Sequence, residues 1–176
     1  MIHEKAPAWL AQLKIRYLTQ TDLPDLEWDG QYTHFRRLYT EIYQSSLKGK
    51  AVLWVAELKD KGIIGQLFVQ LTSSRPELAD GNRRAYIYGF RVKTPFRSFG
   101  IGTRMLHAAE TDLARRGFKW VTLNVGRDNP LAHHLYERQG YILVGEEPGI
   151  WSYQDDLGNR HEVHEPAYRM EKKLIK

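Results

Sequence analysis

The chain has 176 residues, 42% of them hydrophobic and 27% charged, with a net charge of +5 and 0 Cys. That length and balance suit one folded domain spanning residues 1–176 and argue against wholesale disorder. The lack of cysteine excludes a disulfide framework, a thiolate nucleophile and any thiolate metal site.

The positive balance suits an anionic partner: nucleic acid, an acidic membrane or a phosphate-bearing cofactor. The cations are dispersed, however, with Arg-Arg pairs only at 36–37, 83–84 and 115–116. The longest clean apolar run, 51–56, is far too short to span a bilayer, and the opening MIHEKAPAWL has no signal-like apolar core. A soluble, cytoplasmic protein is expected, with neither nucleic acid nor membrane as partner.

Residues 15–18 predict a short strand. Residues 19–22 form a cap-like stretch, and Pro24 stands just inside the next segment. His34, Phe35, Leu38, Tyr39, Ile42 and Tyr43 recur at three- and four-residue spacings, which predicts a helix over 31–46. Two apolar, β-branched stretches, 51–58 and 63–71, flank a hairpin turn at 59–62. A polar loop over 73–82 follows.

Residues 85–92 (AYIYGFRV) predict a strand whose Gly89 marks a bulge or a close backbone approach. Ile101, Met105, Leu106, Ala109 and Leu113 line one face of a helix over 101–116, closed by Arg115, Arg116 and Gly117. A strand over 120–125 leads to Asn129-Pro130, an N-cap followed by a first-turn proline. The helix it opens stops at Gly140, and 141–145 predicts another strand. In the tail, 155–159 turns between two strand-like arms, and 167–174 reads as a closing strand. The order implies an α/β or α+β class with a mixed sheet.

One junction concentrates chemistry. The strand 85–92 runs into Pro95-Phe96-Arg97-Ser98-Phe99-Gly100-Ile101-Gly102-Thr103, which opens the most regular helix. Glycines here let backbone N–H groups face outward, and the helix N-terminus adds unpaired donors and partial positive charge. With Lys93 and Arg97 this makes a cradle for a pyrophosphate. The bland alternative is an ordinary glycine-containing helix start. No P-loop is present, and a dinucleotide fingerprint would need glycine where Met105 stands.

Arg97-x-x-Gly100-x-Gly102 resembles the acetyl-CoA signature (Q/R)xxGx(G/A) of the GCN5-related N-acetyltransferase (GNAT) family. Asn129…Ala132…Leu135-Tyr136…Gly140-Tyr141 resembles that family's N…A…LYxxxGF ending. One departure is small: Pro95 falls one place later than the common pattern.

The resemblance implies a single-domain, mostly antiparallel mixed sheet flanked by helices, with a V-shaped splay between its central parallel strands. It implies acetyl-CoA as co-substrate, held by Val92, Arg97, Ser98, Phe99, Gly100, Ile101, Gly102, Thr103 and Asn129, and direct acetyl transfer to an amine. Tyr136 then matches the general acid; its alternative is a core aromatic. The lack of cysteine agrees with direct transfer, since it removes the obvious thiol nucleophile.

A general base is harder to find. The strand 85–92 carries no carboxylate, its polar members being Tyr86, Tyr88 and Arg91. Glu27, with Asp29 near it, and Glu57 are the candidates, each of which also reads as a solvated acid. His161 and His164 point to opposite faces of a strand-like arm, and His133 and His134 diverge on a helix, so no metal is expected. Residues 146–166, with Trp151, Tyr153, Asp155 and Asp156, either border the acceptor site or a partner chain or form a solvent hairpin. Two rivals remain: a non-catalytic CoA or nucleotide sensor, and a basic nucleic-acid-binding protein. The expected acceptor is a small-molecule amine, with a protein amine as the alternative; a homodimer stays open.

Overall fold

The computed structural model describes residues 5–175. The reading of the chain's opening falls in part on residues 1–4, outside that span. In chain order the elements are Lys14–Tyr17 (β1), Arg36–Leu47 (α1), Ala51–Leu58 (β2), Gly62–Gln70 (β3), Arg84–Val92 (β4), Ile101–Arg115 (α2) and Trp120–Gly126 (β5). They continue with Pro130–Arg138 (α3), Ile142–Glu147 (β6), Ile150–Gln154 (β7), Arg160–His164 (β8) and Ala167–Lys173 (β9). Seven strands form one sheet in the order β1-β2-β3-β4-β5-β9-β6, and β7 pairs β8 in a separate hairpin. Among the described residues only β4 and β5 run parallel, with α2 between them in the chain; the remaining pairs are antiparallel.

Helices cover both sheet faces, which is why β2 and β3 read as nearly continuous apolar runs rather than alternating ones. One face packs Trp54, Ala56, Ile64 and Leu67 against α2. The other packs Leu53, Val55 and Phe68 against Tyr39 and Ile42 of α1 and Leu26 before it. The apolar stripe of α2 is buried as its spacing predicts: Met105, Leu106, Ala109 and Leu113 are all 0% exposed. Each large side chain of that stripe contributes roughly 1.5–3 kcal/mol by leaving water. Among the described residues no helix is long and apolar enough to cross a membrane.

Two elements differ from the sequence reading. The helix expected from residue 31 begins only at Arg36, after a 3-10 turn over Thr33–Phe35. No side chain caps its start, and the turn instead aligns the rings of Tyr32 and Phe35 at 6.1 Å and 8°. Aromatic stacking thus overrides the helical period there. A short 3-10 helix over Ala8–Gln12, which was not anticipated, lays Trp9 edge-on to Phe96 and Phe99 at 5.5 and 5.0 Å. The cap-like stretch at residue 19 is a capping box, Thr19 with Asp22, and it opens a 3-10 helix over Gln20–Glu27 that contains Pro24.

Candidate active site

β4 delivers the chain into the glycine loop through a 3-10 turn over Thr94–Phe96. Ser98 and Gly100 then take positive φ, 68° and 80°. Gly100 is the N-cap of α2 and carries no capping side chain. The first helical donor is the Arg104 N–H, which reaches the Gly100 carbonyl at 3.1 Å. The six preceding N–H groups, 98 through 103, have no protein acceptor among the described residues. They stand at the end of a helix whose dipole is equivalent to about half a positive charge there. This is an anion cradle without a built-in anion.

Arg97 sits differently from expectation. Its Nε donates to the Val92 carbonyl at 2.8 Å, so the side chain ties the loop to the strand as well as supplying charge. Asn129 is the N-cap of α3, accepting from the Ala132 N–H at 3.2 Å. Lys93 lays its ammonium 5.6 Å from the Trp28 ring.

The parallel pair opens beside this loop. β4 and β5 keep register from Arg84↔Trp120 to Ile87↔Leu123 and no further. Beyond that point β4 pairs only β3, and β5 pairs only β9. Their facing edges, Tyr88–Val92 and Asn124–Gly126, are therefore not paired with each other, although the Gly89, Val92 and Gly126 carbonyls already accept from Gln66 Nε2, Arg97 Nε and the Asn129 N–H. Tyr136 packs beside the opening, its ring 6.4 Å from Phe90 and 5.8 Å from Tyr141. It is 7% exposed, and its hydroxyl has no hydrogen-bond partner among the described residues. Burial, with the nearby Tyr86 adding to it, pushes the phenol's pKa well above its ordinary value, so it keeps its proton at neutral pH. Asn124 Nδ2 donates to the Tyr86 hydroxyl at 3.2 Å, while Asn124 Oδ1 is buried without a partner.

A cavity of about 770 Å³ opens on the α1 face of this gap. Aromatic rings dominate its walls: Tyr32, Phe35 and Tyr39 from the α1 side, Tyr86 and Tyr88 from β4, and Trp151 from β7. The segment 146–166 thus borders the cavity, with Tyr153 packed edge-on to Phe35 at 4.9 Å. Its histidines are taken by local acids: His161 contacts Asp155 at 2.7 Å and His164 contacts Glu162 at 2.6 Å. Among the described residues no group of three or more metal-ligating side chains gathers.

A bulge explains why Arg91 joins Tyr86 and Tyr88 on that wall. Phe68 pairs Tyr88 while Gln66 pairs Arg91, so β4 carries one extra residue at 89–90. Gly89 has φ 59°, and a Cβ there would lie 2.7 Å from Phe68 Cδ2. The extra residue flips the alternation, leaving Phe90 and Val92 in the α2-side core and Arg91 in the cavity. Arg91 was visible in the sequence only as a polar strand residue; the Gly89 signal, followed through to parity, could have assigned its face.

The two acids suggested as bases lie elsewhere. Glu27 is gripped by Arg36 Nε and Nη2 at 2.9 and 2.8 Å, which lowers its pKa, and it lines a separate cavity of about 300 Å³. Glu57 on β2 is bound by Arg16, which also holds Asp22 at 2.7 Å. Both are ion-paired carboxylates away from the walls of the aromatic cavity, and the geometry weighs against either as the proton acceptor.

Comparison with known proteins agrees with this architecture. Residues 16–141 match the model of the acetyltransferase (GNAT) family. A Bacillus subtilis (strain 168) protein named "uncharacterized N-acetyltransferase YycN" is 29% identical over 89 residues, 51% of this chain and 54% of the relative. The match therefore spans about half the length of that curated relative. Ard1 from Thermoplasma volcanium superposes with a TM-score of 0.71 at 18% identity, over 94% of this chain and 99% of that one. The ribosomal-protein-S18-alanine N-acetyltransferase of Escherichia coli gives 0.68 at 18% identity, over 93% and 95%. A spermidine N-acetyltransferase SpeG chimera from Vibrio cholerae and hSSAT gives 0.68 at 19%, over 93% and 96%. With the family model covering well over half its length, and with a sheet that opens between its two parallel strands, the chain belongs to the GNAT family of acetyltransferases.

Proposed function

We propose that the protein moves an acetyl group from acetyl-CoA to a primary amine by direct transfer within a ternary complex. The observation that carries this reading is the opening between β4 and β5 beyond Ile87 and Leu123, placed between an acceptor-free row of N–H groups and a partly aromatic cavity. A pyrophosphate fits the cradle at 98–103, and an amide-bearing arm fits between the parted strand edges. Acetyl-CoA supplies an activated acyl carbon and a thiol leaving group.

The chain's own residues supply the rest. Ser98, Phe99, Gly100, Ile101, Gly102 and Thr103 hold the anion through backbone N–H groups, and Val92 and Arg97 fix the loop. The strand edges hold the two reactants within reach, which replaces a bimolecular encounter by an oriented one. As the amine nitrogen bonds to the acyl carbon, the carbon–sulfur bond breaks. The sulfur takes a proton from the Tyr136 hydroxyl, the amine loses one to cavity solvent, and the Tyr136 phenolate takes one back from that solvent, which closes the cycle. The phenol keeps its proton at neutral pH and so has one to give. Burial makes it a weaker acid than a free phenol, so the donation is to sulfur that already carries the charge of the breaking bond. With Glu27, Glu57 and the cavity's Glu147 tied to arginines and Glu165 exposed at its rim, solvent is the first proton acceptor. A small-molecule amine suits a half-open, partly aromatic cavity of about 770 Å³ better than an extended peptide does.

The test is thermal denaturation with acetyl-CoA. Ligand bound only to the folded state raises Tm by mass action, by about 2.7 kcal/mol of stability at a hundredfold excess over Kd. Gly102→Val places methyl groups toward Phe90 and Leu135, whose atoms already lie 3.4 and 3.8 Å from a Cβ at that site. The wild type should shift and Gly102→Val should not. An equal shift in both would contradict the placement of the cradle.

A further inference from the structure

We infer that the acceptor is a primary amine that also carries a free carboxylate and an apolar side chain, an amino-acid-like molecule whose carboxylate docks on Arg91. This deepens the acetyl-transfer reading and rests on it.

Arg91 is set apart by what surrounds it. Among the described arginines without an ion pair, every other one is exposed; Arg91 alone is partly buried. Its guanidinium lies 3.8 Å from the Tyr32 ring centroid and 5.8 Å from those of Trp28 and Phe35. Aromatic faces stabilise a cation but take none of its N–H donors in plane. Of its five donors, one from Nη2 goes to the Tyr39 hydroxyl, and Nε is buried without any acceptor. A guanidinium built into a wall with donors to spare is matched by a planar carboxylate, which accepts two parallel N–H bonds.

The other charges of the cavity do not answer it. Glu147, 5% exposed, is already held by Arg75 at 2.8 and 3.2 Å and by Arg169 at 3.1 Å. Glu165 is exposed at the rim. A polyamine would bring further positive charge against Arg91 and find no free buried acid to meet it. Leu38, Ile42 and Phe68 form an apolar part of the same wall, which suits a hydrophobic side chain on the acceptor. Arg91 stands two residues beyond the Gly89 bulge, at the mouth of the gap where the acyl group would arrive. The product is the N-acetylated amino carboxylate together with free CoA thiol.

The experiment measures thiol release from acetyl-CoA with four matched acceptor classes. They are L-leucine and L-phenylalanine, their carboxamides, the corresponding amines without a carboxyl group, and spermidine. The carboxamide arm also stands in for a peptide N-terminus. The free amino acids should exceed their amides in kcat/KM by about 10- to 100-fold, the scale of one charge-assisted contact. In Arg91→Met that ratio should fall to about one, chiefly through KM, while the acetyl-CoA thermal shift persists. Arg91→Lys, which keeps the charge but not the fork, should fall between, and it decides the matter if Arg91→Met fails to fold. Amides, simple amines or spermidine turning over as fast as the amino acids would overturn the inference and leave acetyl transfer standing. Acetyl-CoA binding without thiol release from any free amino acid would overturn it too. Loss of acetyl-CoA binding in the wild type would instead refute the underlying reading.

Discussion

Gly89→Ala probes the feature that builds the acceptor wall. Gly89 adopts φ 59°, and an added Cβ would meet Phe68 Cδ2 at 2.7 Å, closer than real contacts allow. A left-handed conformation costs a non-glycine residue roughly 1–2 kcal/mol. Phe68 is 1% exposed and packed edge-on to Tyr39 and Tyr88, so it has little room to yield. Overpacking of that kind costs typically 1–3 kcal/mol. The smaller entropy of the unfolded alanine chain returns about 0.4–1 kcal/mol. The net loss is about 2–4 kcal/mol, or roughly 5–15 °C in Tm for a chain of this length.

Thermal unfolding followed by circular dichroism reads the effect. Phe68→Leu in the Gly89→Ala background should recover part of it, giving a favourable coupling in a double-mutant cycle. An Ala variant melting within about 2 °C of the wild type would refute the reasoning, because neither the strain nor the contact would then be real.

Two further predictions follow from the same geometry. Tyr136→Phe keeps the ring against Phe90 and Tyr141 but removes the proton donor; kcat should fall roughly 10- to 1000-fold with acetyl-CoA affinity little changed, and full-speed turnover with chemistry rate-limiting would leave Tyr136 a packing residue. Asp22, hydrogen-bonded by Arg16 and by Thr19, has its pKa held down to about 2 from an ordinary 3.8, against the opposing effect of burial. A depressed folded pKa means stability present above about 4 and lost as pH falls through 2, worth about 2 kcal/mol by linkage. Asp22→Asn should therefore lower Tm at neutral pH, and the gap from wild type should close below pH 4; a gap independent of pH would contradict the pairing.

Much of the fold was legible because its signals are local. The stripe Ile101, Met105, Leu106, Ala109 and Leu113 fixes the buried face of α2, and Asn129-Pro130 marks the start of α3. The loop 97–103 was legible as an anion site because glycine positions and a helix start dictate where N–H groups point. The acceptor wall was not, because it depends on parity and on distant contacts. One extra residue in β4 moves Arg91 to the face of Tyr88, and no local spacing says which partner holds Glu27 or Glu57. Trp9 meeting Phe99 joins residues 90 positions apart, which periodicity cannot reveal. His34 and Phe35 keep the helical period yet lie in the 3-10 turn before the helix, where the Phe35 ring stacks on Tyr32 and faces Arg91.

The central claim is direct transfer across the opening between β4 and β5, with both substrates bound at once. A matrix of initial velocities of thiol release, varying acetyl-CoA against an amino-acid acceptor, tests it most directly. Direct transfer in a chain with 0 Cys predicts lines that intersect in double-reciprocal form, and thiol release that requires the acceptor. Parallel lines, or a stoichiometric burst of thiol before any acceptor is added, would place the acetyl group on the protein and contradict the account.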